Sequence, residues 1–359
     1  MTTTQALYRR SAEFWERLEE TKRGVAGVAW YPYCSLANFE HFVPLLGPGA
    51  DFEALLGAGP ILDIGCADGD LSFFVESLGL HLDIHALDHA GTNHNHLAGV
   101  AALKQARGSS VQICDVNLDE GFELPARPYS MAFCLGLLYH VKNPFHLLES
   151  LSHYARSCLL STRIMQVFPG GEPVPAHPAA YLLDPDQLNH DETNFWIFNQ
   201  AGLRRLIARA GWQLERYYST GGVASGPDSQ SADERAFCLL RSRRWLANIT
   251  LNEGWHEESG EGWRWTERRF SFSLPPGEWR SMTLHVHLPE AVFANASAVT
   301  LTLPEIGAHH CATEPGSYTL RADLPAGISR IECEFDRAIG PTSDDSRELG
   351  GVVTGVSYQ

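Results

Sequence analysis

Residues 60–72 have the sequence PILDIGCADGDLS, and this segment decides the fold of the 359-residue chain. Its first part, residues 60–64, is a short apolar run that predicts a buried parallel strand. The run then breaks into the small residues of 65–69, and a helical spacing of apolar side chains begins at Leu71. A strand, a tight glycine turn and a helix open a nucleotide-binding α/β unit, because only glycine lets the backbone come close to a ligand.

Acidic residues occur at the ends of three successive predicted strands. Asp63 lies at the end of the first strand, Asp88 closes the next apolar stretch, and Asp115 follows the third. Asp88 lies about 20 residues beyond the glycine turn, where doubly wound folds place a carboxylate that binds a ribose. Asp63 would repel a pyrophosphate but can hold an ammonium group, and Asp115 can accept from an adenine amino group. The three carboxylates therefore favour S-adenosylmethionine and disfavour NAD.

The segment from Asp63 to Gly69 resembles the D-x-G-x-G-x-G turn of the class I S-adenosylmethionine-dependent methyltransferases, with Ala67 in place of the middle glycine. The resemblance covers residues 55–241. Residues 134–140 (CLGLLYH) and 191–196 (DETNFW) are similar to a bacterial branch related to tRNA wobble-uridine carboxymethyltransferases and to methyltransferases encoded among cell-surface glycan genes. The resemblance implies S-adenosyl-L-methionine as cofactor, bound by Asp63, Gly65, Cys66, Ala67, Gly69, Asp88, His89, Asp115, Val116 and Leu135.

Strands and helices alternate regularly over residues 51–244. We predict strands near 60–64, 82–87, 110–114, 129–135, 157–163, 212–220 and 234–241, and helices near 70–79, 92–106, 144–155 and 199–210. This alternation predicts an α/β, Rossmann-like methyltransferase domain with a doubly wound sheet. The last two strands resemble the reversed terminal strands of the family's seven-stranded sheet.

Residues 1–50 are predicted to form an N-terminal helical extension. One amphipathic helix covers 5–20, and Ser35 could cap a second helix that ends at Leu46. In class I methyltransferases such an extension often serves as a lid. The aromatic run 30–33 could therefore lie in the site or only pack the helices onto the core.

Residues 250–359 have the short alternating runs of an all-β sandwich or jelly roll, spaced by proline and glycine. We expect this domain to fold separately. It resembles an accessory sandwich found on bacterial glycosyltransferases and glycan-modifying enzymes. Trp263 and Trp265 near its start could stack on a sugar ring or belong to its core.

Catalytic candidates follow the fourth strand and lie in the long insertion 165–198. Tyr139 and His140 come directly after that strand, whose carboxyl end faces the crevice of a doubly wound sheet. His140 could act as general base or be structural, and Asp191 is the second candidate. By resemblance the insertion covers the acceptor, which places substrate contacts at Tyr181, Asn194 and Trp196. Alternatively, Asp191 and Asn194 only cap the helix near 199.

Charge and composition limit the classes of binding partner that we expect. The formal net charge is −16, whereas nucleic-acid-binding proteins usually present a basic face, so we do not expect nucleic acid as a partner. No stretch is apolar enough for a membrane span or a secretory signal, and we expect a cytoplasmic protein. We expect no metal site, since no cysteine or paired carboxylate accompanies His89, His94 and His96. The eight scattered cysteines suggest buried free thiols.

The sequence favours O-methylation of a sugar hydroxyl in a nucleotide sugar, glycan or lipid-linked saccharide. Two alternatives stay open. One is a tRNA-modifying (carboxy)methyltransferase, which rests on the kinship around residues 134–140. The other is a non-catalytic glycan-binding protein on a methyltransferase scaffold, against which the intact Asp63, Gly65, Gly69 and Asp88 argue.

Overall fold

A computed structural model describes residues 3–57, 59–121, 124–125, 129–228, 233–243, 249–257, 263–274, 279–294, 296–343 and 345–358. The chain divides into two compact units, Met1–Ser242 and Arg243–Gln359. The predicted junction at residues 244–250 lies mostly outside the described residues. None of the described helices combines the length and the apolar character that a membrane crossing requires.

The first unit is built around one mixed sheet. Its strands are β1 (Ile61–Ile64), β2 (Ile84–Asp88), β3 (Gln112–Asp115), β4 (Tyr129–Leu135), β5 (Ala155–Ile164), β6 (Ala180–Leu182), β7 (Trp196–Phe198), β8 (Trp212–Thr220) and β9 (Glu234–Ser242). Strands β1 to β5 are parallel in the order β3-β2-β1-β4-β5. Strand β9 runs antiparallel to both β5 and β8, which confirms the predicted reversed hairpin. The strand order changes direction between β1 and β4, where such sheets open a crevice at their carboxyl edge.

Helices cover both faces of this sheet. They are α1 (Thr4–Gly24), α2 (Asn38–Leu46), α3 (Phe52–Leu56), α4 (Asp70–Glu76), α5 (Ala98–Arg107), α6 (Pro144–Tyr154) and α7 (Gln200–Arg209). The buried side chains of α1 to α5 form one hydrophobic cluster with one face of the sheet, and those of α6 and α7 form a second cluster with the other. This confirms the Rossmann-like α/β arrangement.

The N-terminal helices are part of the first cluster. Phe39 in α2 lies 5.0 Å from Phe74 in α4, ring centroid to ring centroid. The predicted cap at Ser35 is wrong, because Ser35 begins a short 3₁₀ helix (Ser35–Ala37) and α2 starts after Ala37 without a side-chain cap. The short helix α3, capped by Asp51, was not predicted.

The helix predicted over 92–106 begins only at Ala98. The side-chain oxygen of Asn93 accepts from the backbone N–H groups of Asn95, at 3.1 Å, and Leu97, at 3.0 Å. His96 and Leu97 also have positive φ values of 55° and 67°. These bonds hold residues 89–97 in turns, since asparagine side chains compete with helical backbone bonds.

The insertion 165–198, predicted as a loop, contains two short strands. Strand β6 pairs antiparallel with β7, and β7 joins the end of β5 at the pair Ile164 and Phe198. A small separate core holds the insertion together, formed by Met165, Leu183, Leu188 and Ile197. A three-residue strand is too short to show alternation, which explains why the sequence did not reveal it.

The second unit consists of antiparallel sheets. Its strands are β10 (Thr250–Leu251), β11 (Arg264–Trp265), β12 (Arg269–Ser273), β13 (Ser281–Leu288), β14 (Val299–Leu303), β15 (Ala308–Ala312), β16 (Gly316–Asp323), β17 (Arg330–Phe335) and β18 (Val352–Tyr358). A five-stranded sheet has the order β10-β12-β17-β14-β15, and a four-stranded sheet has the order β11-β18-β13-β16. Buried side chains of both sheets belong to one hydrophobic cluster. The six predicted runs are confirmed as strands, and β10, β11 and β15 were missed.

Candidate functional site

The glycine turn connects β1 to α4 and is forced into left-handed backbone. Gly65, Ala67 and Gly69 have φ values of 75°, 50° and 82°. A Cβ on Gly69 would lie 2.8 Å from Val100 Cγ2 and 2.9 Å from Phe73 Cε2, so only glycine fits there. Ala67 accepts a backbone conformation that costs a non-glycine residue about 1–2 kcal/mol. The two glycines of the turn therefore leave the backbone at the end of β1 uncovered by side chains of their own.

Asp88 ties this turn to the end of β2. Its Oδ1 accepts from the backbone N–H of His89 at 2.8 Å, and its Oδ2 accepts from that of Ala67 at 2.8 Å and from Asn93 Nδ2 at 3.2 Å. Burial raises the pKa of Asp88, while these donors act in the opposite direction. A carboxylate oxygen with a single donor keeps a lone pair for another hydroxyl. Asn93 was not among the predicted residues.

Asp63 is buried beneath the turn. Its Oδ2 accepts from the hydroxyl of Ser72 in α4 at 2.7 Å. Burial raises the pKa of Asp63 to about 7, and the negative charges of Asp88 and Asp70 add to the effect. A cation placed next to Asp63 would favour its ionised form, because opposite charges stabilise each other.

Asp115, at the end of β3, is the neighbour of Asp88 in the strand register. Its Oδ1 accepts from the backbone N–H of Ala90 at 2.9 Å and lies 3.3 Å from His89 Nδ1. The bond from Ala90 lowers the pKa of Asp115. The backbone N–H of Val116 donates to the carbonyl of Asp88 at 2.9 Å. The predicted strand-end carboxylates therefore lie on adjacent strands, and Leu135 and Cys66 pack in the cluster behind them.

The N-terminal segment is fixed to the glycine turn through Asp68. The backbone N–H of Tyr31 donates to Asp68 Oδ2 at 2.7 Å, and Asn95 Nδ2 donates to Asp68 Oδ1 at 2.7 Å. Burial, followed by the nearby Tyr139, raises the pKa of Tyr31 to about 12, and Tyr33, Asp191 and Asp88 contribute to the shift. Tyr31 thus lies beside the glycine turn, in contact with Asp68 and His94. The sequence alone allows the aromatic run 30–33 to lie in the site or to pack the helices onto the core.

A buried ion pair anchors the end of α1 to the start of α4. Lys22 Nζ lies 3.0 Å from Asp70 Oδ1, and each side chain is 5% exposed. The ammonium also lies 5.7 Å from the centroid of the Trp30 ring. Glu19, with a 42% exposed side chain, is a second partner at 3.3 Å. No sequence pattern indicates this pair, because its partners are far apart in the chain.

His140 follows β4 and contacts the insertion through Thr193. Its Nδ1 lies 2.9 Å from Thr193 Oγ1 and 3.3 Å from the Thr193 carbonyl oxygen. A carbonyl oxygen only accepts, so Nδ1 carries the hydrogen and the lone pair of the neutral ring is on Nε2. Burial lowers the pKa of His140, although Asp191 opposes this. At neutral pH the ring is therefore neutral and able to take a proton at Nε2.

Asp191, the second catalytic candidate, is bound to Thr193. Its Oδ1 accepts from the Thr193 hydroxyl at 2.6 Å and from the Thr193 backbone N–H at 2.9 Å. Its Oδ2 lies 4.0 Å from His140 Nδ1. Asp191 thereby orients Thr193, which in turn accepts from His140.

Tyr139 and Trp196 connect the end of β4 to the insertion. The backbone N–H of Phe195 donates to the Tyr139 carbonyl at 2.8 Å, and Trp196 Nε1 donates to the Lys142 carbonyl at 3.0 Å. The rings of Tyr139 and His140 lie 4.4 Å apart, centroid to centroid. The structure thus brings Tyr139, His140, Asp191 and Trp196 to one region.

Asn194 and Tyr181 have structural contacts in the insertion. Asn194 is buried and donates to the carbonyls of Leu188 and Asp191. Tyr181 packs against the small core of the insertion, and its hydroxyl accepts from Gln187 Nε2 at 3.2 Å. The alternative that Asp191 and Asn194 cap α7 is wrong, because Asn199 is the cap and accepts from the backbone N–H of Gly202 at 2.7 Å.

The histidines after β2 have separate partners. His94 packs against Tyr31, and His96 Nδ1 lies 2.8 Å from the Ala90 carbonyl oxygen. Among the described residues, no three His, Cys, Asp or Glu side chains are grouped as metal ligands would be. The cysteines are free thiols, as expected, but Cys34 and Cys114 are only half-buried and Cys311 is exposed.

Trp263 and Trp265 are half-buried in the second unit. Trp255 and Trp279 pack against its core: the Trp255 ring lies 5.1 Å from Phe270 and its Nε1 donates to the Ser271 carbonyl at 2.7 Å, and the Trp279 ring lies 4.6 Å from Tyr358. The predicted choice for Trp263 and Trp265 between sugar stacking and core stays a prediction.

No family model and no curated protein matches the chain. Solved structures do match. The N-terminal domain of EvdMO1 with SAH bound is 16% identical, with 64% of this chain and 96% of that chain covered and a TM-score of 0.41. Full EvdMO1 is 12% identical over 96% of this chain and 97% of its own, with a TM-score of 0.44. An O-methyltransferase of a trans-AT PKS from Brevibacillus brevis, in complex with S-adenosyl-L-homocysteine, is 12% identical. The match covers 54% of this chain and 68% of that chain, with a TM-score of 0.40. The fold assignment rests on the strand order described above.

Proposed function

We propose that the chain is an S-adenosyl-L-methionine-dependent methyltransferase that methylates a sugar hydroxyl in a nucleotide sugar, glycan or lipid-linked saccharide. The observation that carries this proposal is the set of carboxylates, Asp63, Asp88 and Asp115, on three adjacent strand ends around a left-handed glycine turn. The turn needs glycine at two positions, and the chain has glycine at both, Gly65 and Gly69. Cys66 and Ala67 occupy other positions of the turn.

The residues present fit this cofactor by their chemistry. Asp88 offers an oxygen with spare accepting capacity to the ribose hydroxyls. Asp63 offers a buried carboxylate to the ammonium group, and Asp115 offers an exposed one to the adenine amino group. Acidic groups around the turn would repel a pyrophosphate, which separates this site from a dinucleotide site.

The bound cofactor supplies a methyl group that is already electrophilic. The chain must then align an acceptor hydroxyl and remove its proton. His140 is suited to that task, since Thr193 holds its Nδ1 hydrogen and leaves Nε2 as the basic atom. Asp191 orients Thr193, Tyr139 provides aromatic surface beside the imidazole, and we assign Trp196 to substrate contact.

A saccharide suits this site better than tRNA does. Affinity for tRNA comes largely from neutralised phosphates and requires a basic surface, whereas the chain carries a net charge of −16. We interpret the second unit as a β-sandwich accessory domain over 250–359, and Trp263 and Trp265 as its candidates for sugar contact. The insertion would cover the acceptor, with Asn194 and Tyr181 supporting its shape.

Replacing Asp88 tests the proposal. We expect calorimetry with S-adenosylmethionine to show clear binding to the unchanged chain and a loss of about 1.5–3 kcal/mol for Asp88→Ala, the worth of a hydrogen bond to a charged acceptor. Asp83→Ala is the matched control, because Asp83 precedes the same strand at its opposite end and binds Gln112. Equal affinity of both variants and the parent would refute the cofactor assignment.

The acceptor class is tested by methyl-transfer assays on sugar acceptors and bulk tRNA in parallel. Methyl incorporation into sugars alone supports the proposal. Incorporation into tRNA alone, with tight binding that weakens steeply between ~0.05 and ~0.2 M salt, would reverse the choice.

A further inference from the structure

A cleft lies between the insertion and the start of α7. Its volume is about 320 Å³, which falls in the range of small-molecule sites. The insertion supplies apolar walls through Met165, Val174 and Pro175, and α7 supplies Gln200 and Arg204. The described lining of the cleft contains none of the residues that we assign to the cofactor or to proton transfer. The cleft is therefore a feature separate from the crevice.

Hydrogen bonds fix the walls of the cleft, so it is preformed. Asn199 is 6% exposed, and its side-chain amide is fully used. Its Nδ2 donates to the carbonyls of Pro175 at 3.0 Å and His177 at 2.9 Å. Its Oδ1 accepts from the backbone N–H groups of Ala179 at 3.0 Å and Gly202 at 2.7 Å. A Cβ on Gly202 would lie 2.2 Å from the Ala179 carbonyl oxygen, so glycine is needed for this close approach of α7 to the insertion.

The polar groups that line the cleft are available to a ligand. Among the described residues, nothing bonds to the side-chain amides of Gln166 and Gln200, and no carboxylate pairs with Arg204. The Arg204 guanidinium lies 4.3 Å from the centroid of the Tyr217 ring, a contact that holds it in place without neutralising its charge. The described lining contains no Asp or Glu, although the chain has 43 acidic residues. The cleft therefore suits a ligand that carries negative charge together with hydrogen-bonding and apolar groups.

Strand β7 leads from the proposed acceptor side to the cleft. Trp196, at its start, donates to the carbonyl of Lys142, two residues beyond His140. Gln200 follows the end of β7, and four residues of chain span at most ~14 Å. Trp196 also packs against the hydrophobic cluster that contains Leu203 of α7. An acceptor whose two parts are joined by a linker of several bonds can therefore reach both places.

We propose that the cleft binds the nucleoside diphosphate part of a nucleotide-sugar acceptor. The base lies against the apolar walls, and the amides of Gln166 and Gln200 bind its polar edge, because an amide presents a donor and an acceptor side by side. Arg204 binds the diphosphate, since the N–H groups of a guanidinium form a fork that matches phosphate oxygens. This inference rests on the proposed function and selects the nucleotide sugar from the acceptor classes named there.

Calorimetry on the full chain saturated with S-adenosylhomocysteine tests the cleft, because the bound S-adenosylhomocysteine keeps the probes out of the cofactor site. The probes are UDP, dTDP, CDP, ADP, GDP and inorganic pyrophosphate. We expect at least one nucleoside diphosphate to bind about tenfold or more tightly than pyrophosphate, since only the former fills the cleft with its base. Arg204→Gln should weaken that nucleoside diphosphate about tenfold or more. Gln166→Leu should weaken it without changing the affinity for pyrophosphate.

Arg209→Gln is the matched control. Arg209 lies in the last turn of the same helix and does not line the cleft, and glutamine is as good a helix former as arginine. We expect Arg209→Gln to bind the nucleoside diphosphate as the parent does, and all three variants to keep the parent's affinity for S-adenosylhomocysteine.

Three outcomes contradict the cleft assignment or the function beneath it. A chain that binds S-adenosylhomocysteine but prefers no nucleoside diphosphate over pyrophosphate would overturn the cleft assignment alone. Equal losses in Arg204→Gln and Arg209→Gln would do the same, because the effect would then come from the net charge of α7. Failure of the parent to bind S-adenosylhomocysteine would instead remove the proposed function.

Discussion

The two sides of the crevice are built differently. The proposed cofactor side consists of residues from three successive strand ends, two of which accept from backbone N–H groups, and the buried pair of Lys22 and Asp70 anchors α1 to the helix that follows the turn. The proposed acceptor side combines half-buried side chains in two contacts, His140 with Thr193 and Arg235 with Tyr139. Substitutions on the cofactor side should therefore cost stability as well as binding. Those on the acceptor side should change recognition while the fold persists.

Replacing Lys22 should give the largest effect, because it removes one partner of a buried ion pair. We expect Lys22→Met to lower the free energy of unfolding by about 3–5 kcal/mol, since Asp70 would stay buried without its cation. The double variant Lys22→Met with Asp70→Leu should recover much of this loss. Urea denaturation followed by circular dichroism measures both.

The control for Lys22 comes from the acceptor side. Lys142 has an exposed side chain, and only its backbone atoms bond to Asp119 and Trp196. Lys142→Met should change the free energy of unfolding by no more than about 0.5 kcal/mol. If Lys22→Met proved equally mild, the ion pair would not stabilise the cofactor side.

The glycine turn should give the next largest effect. Gly69→Ala combines a left-handed φ of 82° with contacts of 2.8 Å and 2.9 Å to Val100 and Phe73. We expect a loss of about 2–4 kcal/mol in unfolding free energy from strain and overpacking. Gly79→Ala isolates the strain, because Gly79 has a φ of 74° and nothing within 4 Å of the added Cβ. Thermal unfolding in which Gly79→Ala lost as much as Gly69→Ala would show that contacts at the turn do not matter.

The pH dependence of cofactor affinity gives a smaller effect. Burial raises the pKa of Asp63 to about 7, so at pH 6 most molecules hold a proton there. An ammonium group binds the ionised form, so affinity for S-adenosylhomocysteine should rise about tenfold from pH 6 to pH 8 and then level off. The same shift makes unfolding easier as the pH rises from about 4 to 7, because the folded state holds a proton that the unfolded state releases.

Two variants separate the sides of the crevice in this titration. Asp63→Asn should bind more weakly and show no rise across pH 7. His140→Gln should keep the rise, because His140 belongs to the acceptor side. Calorimetry at several pH values distinguishes them, and a rise that persisted in Asp63→Asn would assign it to another group.

The sequence revealed features that depend on neighbours in the chain. The apolar run 61–64, the glycine turn that follows it and the strand-end carboxylates all follow from local residue types, and the structure has them in the places predicted. It was harder to predict which side chain accepts from the backbone N–H groups at the start of a helix. The side chain of Asn93 delays α5 to Ala98, and Asn199 caps α7 in place of Asp191 or Asn194.

Only the tertiary structure decided which distant residues meet. Arg163 and Arg235 become neighbours because β9 inserts beside β5, and Lys22 reaches Asp70 because α1 packs on the face of the sheet that α4 covers. Neither pair has a signal in the chain, since a buried charge is defined by its partner and not by its spacing. Strand pairing and the burial of apolar surface bring such partners together, and these depend on the whole fold.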